Sequence, residues 1–133
     1  MQRTYFMIKP EAVRSGVFAD ILRHVVANRF QVERLEMRRL TPDLARRFYA
    51  EHDGKAFFGD LVAYITSGPV VAVQLAADDA VVRLRELVGK TNPRDATPGT
   101  IRYMYGTSLQ ENAVHASDGA GAAERELGLV FAG

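Results

Sequence analysis

The amino-acid sequence predicts an α+β sandwich of the βαββαβ kind, in which helices cover a four-stranded antiparallel sheet. Three observations support this fold class. Four short apolar or alternating runs are typical of strands, helical runs bounded by proline or glycine separate them, and two helical segments lie between the second and third strands. The chain has 133 residues, so we expect residues 1–133 to form a single domain.

The first strand is predicted over residues 4–8, an apolar run that ends at Lys9-Pro10. A short helix should follow, because proline suits the first turn of a helix. Apolar residues at helical spacing over 17–28 predict a longer, amphipathic helix that packs on the sheet. Residues 30–40 do not keep a strict period of two, which predicts a second strand with a bulge near Glu33-Arg34.

Two helical segments follow the second strand. Thr41-Pro42 provides an N-cap and a first-turn proline for one of them, and the apolar spacing over 57–66 predicts the other. Ser67-Gly68-Pro69 is typical of a turn, and residues 70–75 form the clearest strand pattern in the chain. We expect Asp78 to cap the helix that comes next.

Glycines and prolines interrupt residues 89–106 so often that a long functional loop is predicted there. The fourth strand carries His115, and strand alternation places its side chain on one face with Ala113 and Ser117. Ser117-Asp118 is predicted to cap the last helix. Two helical crossovers should cover one face of the sheet, which gives a ferredoxin-like arrangement.

Composition excludes several classes of protein. Seventeen basic and sixteen acidic residues give a net charge of +1, which gives no strong field to attract nucleic acid or an anionic membrane. The absence of cysteine excludes disulfides, thiol catalysis and thiolate metal sites. The N-terminus runs directly into strand-like sequence and the longest apolar stretch contains Gln74, so we expect a soluble cytoplasmic protein without a signal peptide.

His115 is the first candidate for chemistry, because small neighbours on its predicted face would leave room for a ligand. A structural, hydrogen-bonded histidine is the alternative. Lys9, Arg85 and Arg102 come from separate segments and could converge on a phosphate group. Solvated surface charge is the alternative and holds for most basic residues, and for Arg85 the pattern alone favours a snorkelling side chain. The sequence contains neither a Walker motif nor a dinucleotide fingerprint.

Five short motifs occur in a fixed order along the chain. They are Lys9-Pro10, Ser67-Gly68-Pro69-Val70-Val71-Ala72, Thr91-Asn92-Pro93, Pro98-Gly99-Thr100-Ile101-Arg102 and the segment 112–118. In their order and spacing they resemble the nucleoside diphosphate kinases from end to end. The resemblance implies a ping-pong transfer of the terminal phosphoryl group from nucleoside triphosphates to nucleoside diphosphates, with His115 carrying the phosphate between them.

The resemblance also implies a catalytic set around His115. The attacking atom would be Nδ1, Glu126 would hold the opposite ring nitrogen, and Ser117 would support Glu126. Lys9 and Tyr49 match residues that approach the transferred phosphate. Imidazole suits this role, because its neutral nitrogen is nucleophilic near pH 7.

For the nucleotide, the resemblance implies that Lys9 and Asn112 contact the 3′-hydroxyl of the sugar. The matching phosphate ligands are Arg85, Thr91 and Arg102, and the matching residues around the base are Phe57, Leu61 and Leu109. Stacking on an aromatic ring does not distinguish bases, so broad tolerance is expected. Mg²⁺ would arrive with the nucleotide, and Asp118 would touch it through water. A homo-oligomer, either tetramer or hexamer, is implied, with no requirement for nucleic acid.

The sequence departs from the family pattern at three sites, which comprise four residues. Ala116 follows the histidine where glycine is usual, Tyr103-Met104 follows Arg102 where many members have Gly-Asp, and Ser15 replaces a frequent arginine. None of these is a matched ligand. We expect Tyr103-Met104 to affect assembly contacts or loop mobility, and at Ser15 we expect the structural role of the usual arginine to pass to the neighbouring Arg14 or to be lost. The competing hypotheses are a nucleotide-binding regulatory module and a nucleic-acid-binding protein.

Overall fold

The computed structural model describes residues 1–132, and its sheet has four strands in the order β2-β3-β1-β4. The strands are β1 Gln2–Ile8, β2 Gln31–Arg38, β3 Val70–Ala77 and β4 Val114–Ala116. Every neighbouring pair is antiparallel. The predicted fold class is therefore confirmed.

Seven α-helices are described in residues 1–132. They are α1 Pro10–Arg14, α2 Phe18–Ala27, α3 Pro42–Phe48, α4 Phe58–Ile65, α5 Ala80–Val88, α6 Ile101–Tyr105 and α7 Ala120–Val130. Two single turns of 3₁₀-helix, Ala50–His52 and Pro93–Asp95, lie in the connections. None of the helices described in this range is long and apolar enough to cross a membrane.

Both faces of the sheet are buried, because successive side chains of β1 point to opposite sides. Phe6 and Ile8 pack on one face with apolar residues of α2 and α5. Tyr5 and Met7 pack on the other face with α3, α4 and α7. The two crossover helices α2 and α5 cover the first face as predicted, and the short helices α1 and α6 add Ala12 and Ile101 to it. Helices α3, α4 and α7 bury the second face, on which His115 lies.

Two local predictions are confirmed in detail. The register of β2 against β3 shifts between Val32 and Arg34, so the bulge lies at Glu33. The Thr41 hydroxyl accepts a hydrogen bond from the backbone N–H of Leu44 at 3.1 Å, as expected of an N-cap residue.

Two predicted caps are wrong. The N-cap of α5 is Asp79 rather than Asp78, and its side chain makes no capping bond because its backbone is left-handed, with φ 52°. The N-cap of α7 is Gly119, also without a side-chain cap. Ser117 does not cap α7, since its hydroxyl is buried and donates to Glu126 instead.

The segment between α5 and β4 is a loop with two short ordered pieces, namely the 3₁₀ turn and the five-residue α6. Its first residue, Gly89, has φ 91°, and a Cβ there would lie 2.6 Å from the Thr100 hydroxyl oxygen. Glycine is therefore required where the loop folds back on itself. The Thr100 hydroxyl in turn accepts a hydrogen bond from the Tyr103 N–H at the start of α6.

Of the two residues predicted to share a strand face with His115, Ser117 lies near it and Ala113 does not. Ala113 is buried with Val114 in the core on the Phe6 and Ile8 face of the sheet, not beside His115. The reason is its backbone: Ala113 has φ 75°, and the Val114 N–H donates to the Asn112 carbonyl at 2.9 Å. This three-residue γ-turn breaks the strand alternation just before β4, and such a conformation costs roughly 1–3 kcal/mol for a residue with a side chain.

Candidate active site

His115 lies on β4, opposite Met7 of β1, and is held from behind by a carboxylate. Its Nε2 is 2.8 Å from Oε1 of Glu126, a buried residue of α7. The Ser117 hydroxyl donates to the same oxygen at 2.6 Å. An ionised carboxylate can only accept a hydrogen bond, so Nε2 carries the ring proton and donates it, and Nδ1 is the ring nitrogen whose lone pair is left to react.

Glu126 carries a negative charge inside the molecule. Burial alone would raise its pKa, but the hydrogen bonds from His115 and Ser117 and the nearby charge of Arg125 outweigh burial and hold the pKa below its ordinary value. The carboxylate is therefore ionised at neutral pH. It fixes the tautomer of His115 and would stabilise a positive charge that develops on the ring.

Two aromatic rings pack against the imidazole. The ring centroids of Phe48 and His115 are 5.1 Å apart with a T-shaped geometry, and those of Tyr5 and His115 are 5.9 Å apart. Tyr5 and Phe48 are both buried and contact each other. Together with the Glu126 bond, these contacts restrict rotation of the His115 ring.

The Tyr49 hydroxyl is buried and has no hydrogen-bond partner among the described residues. Burial raises the pKa of Tyr49, and the charge of Glu126 raises it further, so the group is a neutral donor at physiological pH. A buried hydroxyl without a partner is costly. Since Tyr49 lines the pocket in front of His115, a ligand there could supply the missing acceptor.

Lys9 and Asn112 meet at one end of this pocket. The Lys9 Nζ donates to Oδ1 of Asn112 at 2.8 Å, and the Asn112 amide donates to the backbone carbonyls of Thr91 and Leu109. Burial and the charge of Arg102 lower the pKa of Lys9 to about 8, although Glu11 opposes this. Lys9 is therefore a buried cation that stays mostly charged at pH 7.

The two predicted arginines bind backbone carbonyls on either side of His115. Arg85 donates to the carbonyl of Ala116 at 3.1 Å, and Arg102 donates to the carbonyl of Val114 at 2.9 Å and to that of Gly89 at 3.2 Å. Burial and the neighbouring Arg85 lower the pKa of Arg102 to about 10, which leaves it charged. Two guanidinium groups thus face the same pocket, where an anion would relieve their repulsion.

These side chains line one cleft of about 290 Å³. From the predicted set, it is lined by Lys9, Tyr49, Leu61, Arg85, Thr91, Arg102, Leu109, Asn112, His115 and Asp118. A more apolar cavity of about 420 Å³ shares several of these residues and adds Phe57, whose side chain is 47% exposed. The other predicted site residues are Phe57, which lines this second cavity, and Ser117 and Glu126, which are hydrogen-bonded to each other next to the His115 ring. The structure therefore brings all the predicted site residues together.

Sequence reasoning missed four residues of this cleft: Phe48, Glu51, His52 and Gln110. A signal was present for His52, which follows Tyr49 by three residues in the 3₁₀ turn and so lies on the same side of it. Its ring is 5.3 Å from that of Phe57, between the polar cleft and the apolar cavity. Phe48, Glu51 and Gln110 lie outside the quoted motifs.

Residues 1–132 contain no group of three or more histidine or carboxylate side chains that could hold a metal ion by themselves. The carboxylates that border the cleft are Glu51 and Asp118, both exposed. Exposed carboxylates at a polar opening suit a hydrated hard cation such as Mg²⁺ rather than a fully enclosed one.

The sequence profile of the family described as nucleoside diphosphate kinase matches residues 2–133. The chain belongs to the nucleoside diphosphate kinase family. It is 43% identical to a nucleoside diphosphate kinase of Exiguobacterium sibiricum over 133 residues, which cover 100% of this chain and 96% of the relative. It is 44% identical to one of Saccharolobus islandicus over 131 residues, covering 98% of this chain and 95% of that relative.

Solved structures of the family have the same fold. A nucleoside diphosphate kinase of Aquifex aeolicus superimposes with a TM-score of 0.95 at 39% identity, covering 99% of this chain and 96% of that one. The enzyme of Halobacterium salinarum, solved in complex with CDP, superimposes with a TM-score of 0.96 at 41% identity, covering 99% and 88%. The family and its fold identify this chain as a kinase that transfers phosphoryl groups between nucleoside triphosphates and diphosphates.

Proposed function

We propose that His115 is the residue that carries the phosphoryl group in this chain, through Nδ1. The observation that supports this most directly is the 2.8 Å contact between Nε2 and Glu126, which leaves Nδ1 to react beside a cleft lined by buried cations. In the first half-reaction, Nδ1 attacks the terminal phosphorus of a nucleoside triphosphate in line with the leaving oxygen. The N–P bond forms, the P–O bond to the second phosphate breaks, and that oxygen leaves with the electron pair.

The second half-reaction is the reverse with another nucleotide. An oxygen of a nucleoside diphosphate attacks the phosphorus, and the N–P electron pair returns to Nδ1. Throughout, Nε2 keeps its proton and Glu126 stabilises the positive ring of the phosphohistidine. No proton has to leave the site, so the carboxylate acts by charge and orientation.

We assign Arg85, Thr91 and Arg102 to the phosphates, where charge-assisted hydrogen bonds would hold the chain of oxygens. We assign Lys9 and Asn112, which are hydrogen-bonded to each other, to the 3′-hydroxyl. We assign Lys9 and Tyr49 to the transferred group, since the Tyr49 hydroxyl has no partner among residues 1–132. Family members use Mg²⁺ in general, and we propose that it enters with the nucleotide while Asp118 holds it through water. When bound, Mg²⁺ neutralises charge on the phosphate oxygens.

The proposal is tested by mixing the purified protein with γ-labelled ATP and Mg²⁺. The expected result is a phosphate on His115 that is acid-labile and base-stable and that is released when any nucleoside diphosphate is added. Mass spectrometry at neutral or alkaline pH locates the label. Folded protein that takes up no label would refute the assignment.

We propose that the base stacks on Phe57, with Leu61 and Leu109 beside it, because these residues line the apolar cavity that continues from the cleft. Replacing Phe57 with alanine should weaken binding of every nucleotide by about 1–3 kcal/mol, since each base presents the same kind of π-face. Calorimetric affinities for ADP, GDP, CDP and UDP check this.

The matched control for Phe57→Ala is Tyr103→Ala, which removes a comparably exposed aromatic ring outside both cavities. It should leave the four affinities unchanged. If Phe57→Ala lost affinity for the purine nucleotides alone, this would contradict a stacking platform that does not distinguish between bases.

We also propose a homo-oligomer, tetramer or hexamer, that acts in the cytoplasm where nucleotide pools are interconverted. Strand β2 is an edge of the sheet and exposes Val32, Leu35 and Met37, with 37%, 46% and 53% of each residue accessible in the single chain. An edge strand with a row of apolar side chains is a surface that a second copy can cover. Light scattering on the purified protein measures the assembly.

A further inference from the structure

Glu11 is a charged residue that the proposed chemistry does not use, yet it connects three parts of the fold. It is the second residue of α1, where the sequence predicts only a favourable interaction with the helix dipole. In the structure its Oε1 accepts a hydrogen bond from the Tyr64 hydroxyl of α4. Its Oε2 accepts the backbone N–H of Ala113 at 3.1 Å.

The Ala113 N–H belongs to the γ-turn that precedes β4. Both backbone groups of Ala113 are bound to the start of α1, because its carbonyl accepts the Lys9 N–H at 2.8 Å. The turn holds a side-chain-bearing residue at φ 75°, a conformation that persists only when the surroundings enforce it. Glu11 supplies the one side-chain contact that fixes the N–H of this turn.

The turn connects two residues of the site. Asn112, its first residue, accepts a hydrogen bond from the Lys9 ammonium, and His115 directly follows its last residue, Val114. A displaced turn would therefore move the Lys9–Asn112 pair relative to His115. Tyr64 restricts the same region from the other side, since the Lys9 Nζ lies 5.7 Å from the centre of its ring.

Charge adds a second effect of Glu11. The groups that face the Lys9 ammonium are Arg102 of α6, Glu11 of α1, the Tyr64 ring of α4 and the neutral amide of Asn112. Burial and Arg102 lower the pKa of Lys9, and Glu11 is the carboxylate that opposes them. Glu11 therefore favours the charged form of the lysine.

We propose that Glu11 is a positioning residue for phosphoryl transfer, an inference that rests on the proposed function. Together with Tyr64, Glu11 holds the strained Asn112–Val114 turn in place and so aligns Lys9 and Asn112 with His115. It touches neither the substrate nor the reacting atoms. It acts at the sugar and phosphate end of the cleft and has no influence on the base.

The test compares Glu11→Gln with Glu124→Gln, a control that removes the same charge from an exposed position of α7 outside the cleft. Glutamine keeps the size of Glu11 but loses the charge and one acceptor. We expect kcat to fall by about tenfold to a hundredfold, a larger change than the loss of nucleotide affinity, because misalignment acts on the transfer step while the proposed base and phosphate ligands stay in place. The control should behave like the wild type.

The pH profile separates positioning with charge support from a merely structural role. In Glu11→Gln the alkaline decline in rate should move to lower pH, because Lys9 loses the neighbour that keeps it protonated. In Glu11→Asp, which keeps the charge, this decline should remain near its wild-type position. Wild-type kcat and an unmoved decline in Glu11→Gln would overturn the proposal.

If Glu11→Gln is too unstable to assay, Tyr64→Phe tests the same proposal. This variant removes one donor to Glu11 and keeps the charge, so we expect a smaller loss of kcat and no shift of the alkaline decline. A wild-type kcat would overturn the proposal. Each variant is also labelled with γ-labelled ATP: a wild-type protein that takes up no phosphate refutes the proposed function, whereas normal wild-type labelling with unchanged variants refutes only the role of Glu11.

Discussion

Replacing His115 with alanine is expected to lower the rate of phosphoryl transfer by at least about 10⁴-fold, because the only proposed nucleophile is removed. Nucleotide affinity should stay within about threefold, since the proposed phosphate ligands and base platform lie on other residues. Steady-state rates with a nucleoside triphosphate and diphosphate pair, together with calorimetric binding of ADP, measure both quantities.

The chain offers a matched control, because it has three histidines. His24 lies on α2, over the face of the sheet opposite His115, so His24→Ala should keep full labelling and turnover. Substantial turnover in His115→Ala, or labelling that persists there and disappears in His24→Ala, would refute the nucleophile assignment.

Replacing Glu126 with glutamine is the second change with a large expected effect. The amide cannot stabilise the positive ring of the phosphohistidine and can donate to Nε2, which favours the wrong tautomer. We expect the rate of His115 phosphorylation to fall by about 10²-fold. Rapid-quench labelling measures this step directly. Glu124→Gln, an exposed change on the same helix, should have no effect.

Glu126→Gln should also change the way in which the unfolding free energy depends on pH in the acid range. The pKa of Glu126 in the folded protein lies below its ordinary value, so its ionisation stabilises the fold above the unfolded pKa, and this contribution is lost as pH falls through the folded pKa. Between neutral pH and strongly acidic pH, the difference in unfolding free energy between wild type and Glu126→Gln should therefore shrink. Denaturant titrations at several pH values test this, and a constant difference would contradict the charge assignment.

The strand and helix order was predictable because it depends on local periodicity and on proline and glycine. Thr41 was predictable as a cap because proline follows it directly and marks the first helical turn. Asp78 and Ser117-Asp118 were mispredicted for a physical reason: a cap depends on which residue is the first helical one, and each of these helices begins one or two residues later than its pattern indicates.

The site was predictable to the extent that it lies in recognisable motifs. The conformation of Ala113 was not, because it depends on contacts with Lys9 and Glu11, which are about a hundred residues away in sequence. For the same reason the pattern around His115 predicted small neighbours, whereas the folded chain surrounds its ring with Phe48 and Tyr5 from α3 and β1. Such long-range contacts leave no local signal in one sequence.

The place of β1 in the sheet has a consequence for the way the chain is made. This first strand lies between β3 and β4, and the Lys9–Asn112 hydrogen bond spans 103 residues. Contacts between residues so far apart in sequence form late in folding, because a long loop must close before they can stabilise the fold. During synthesis, β1 emerges first and waits with an open edge until residues 114–116 arrive, and Glu126 follows later still. The proposed site is therefore assembled only after residues 114–126 have been made, so chains that end before them are inactive.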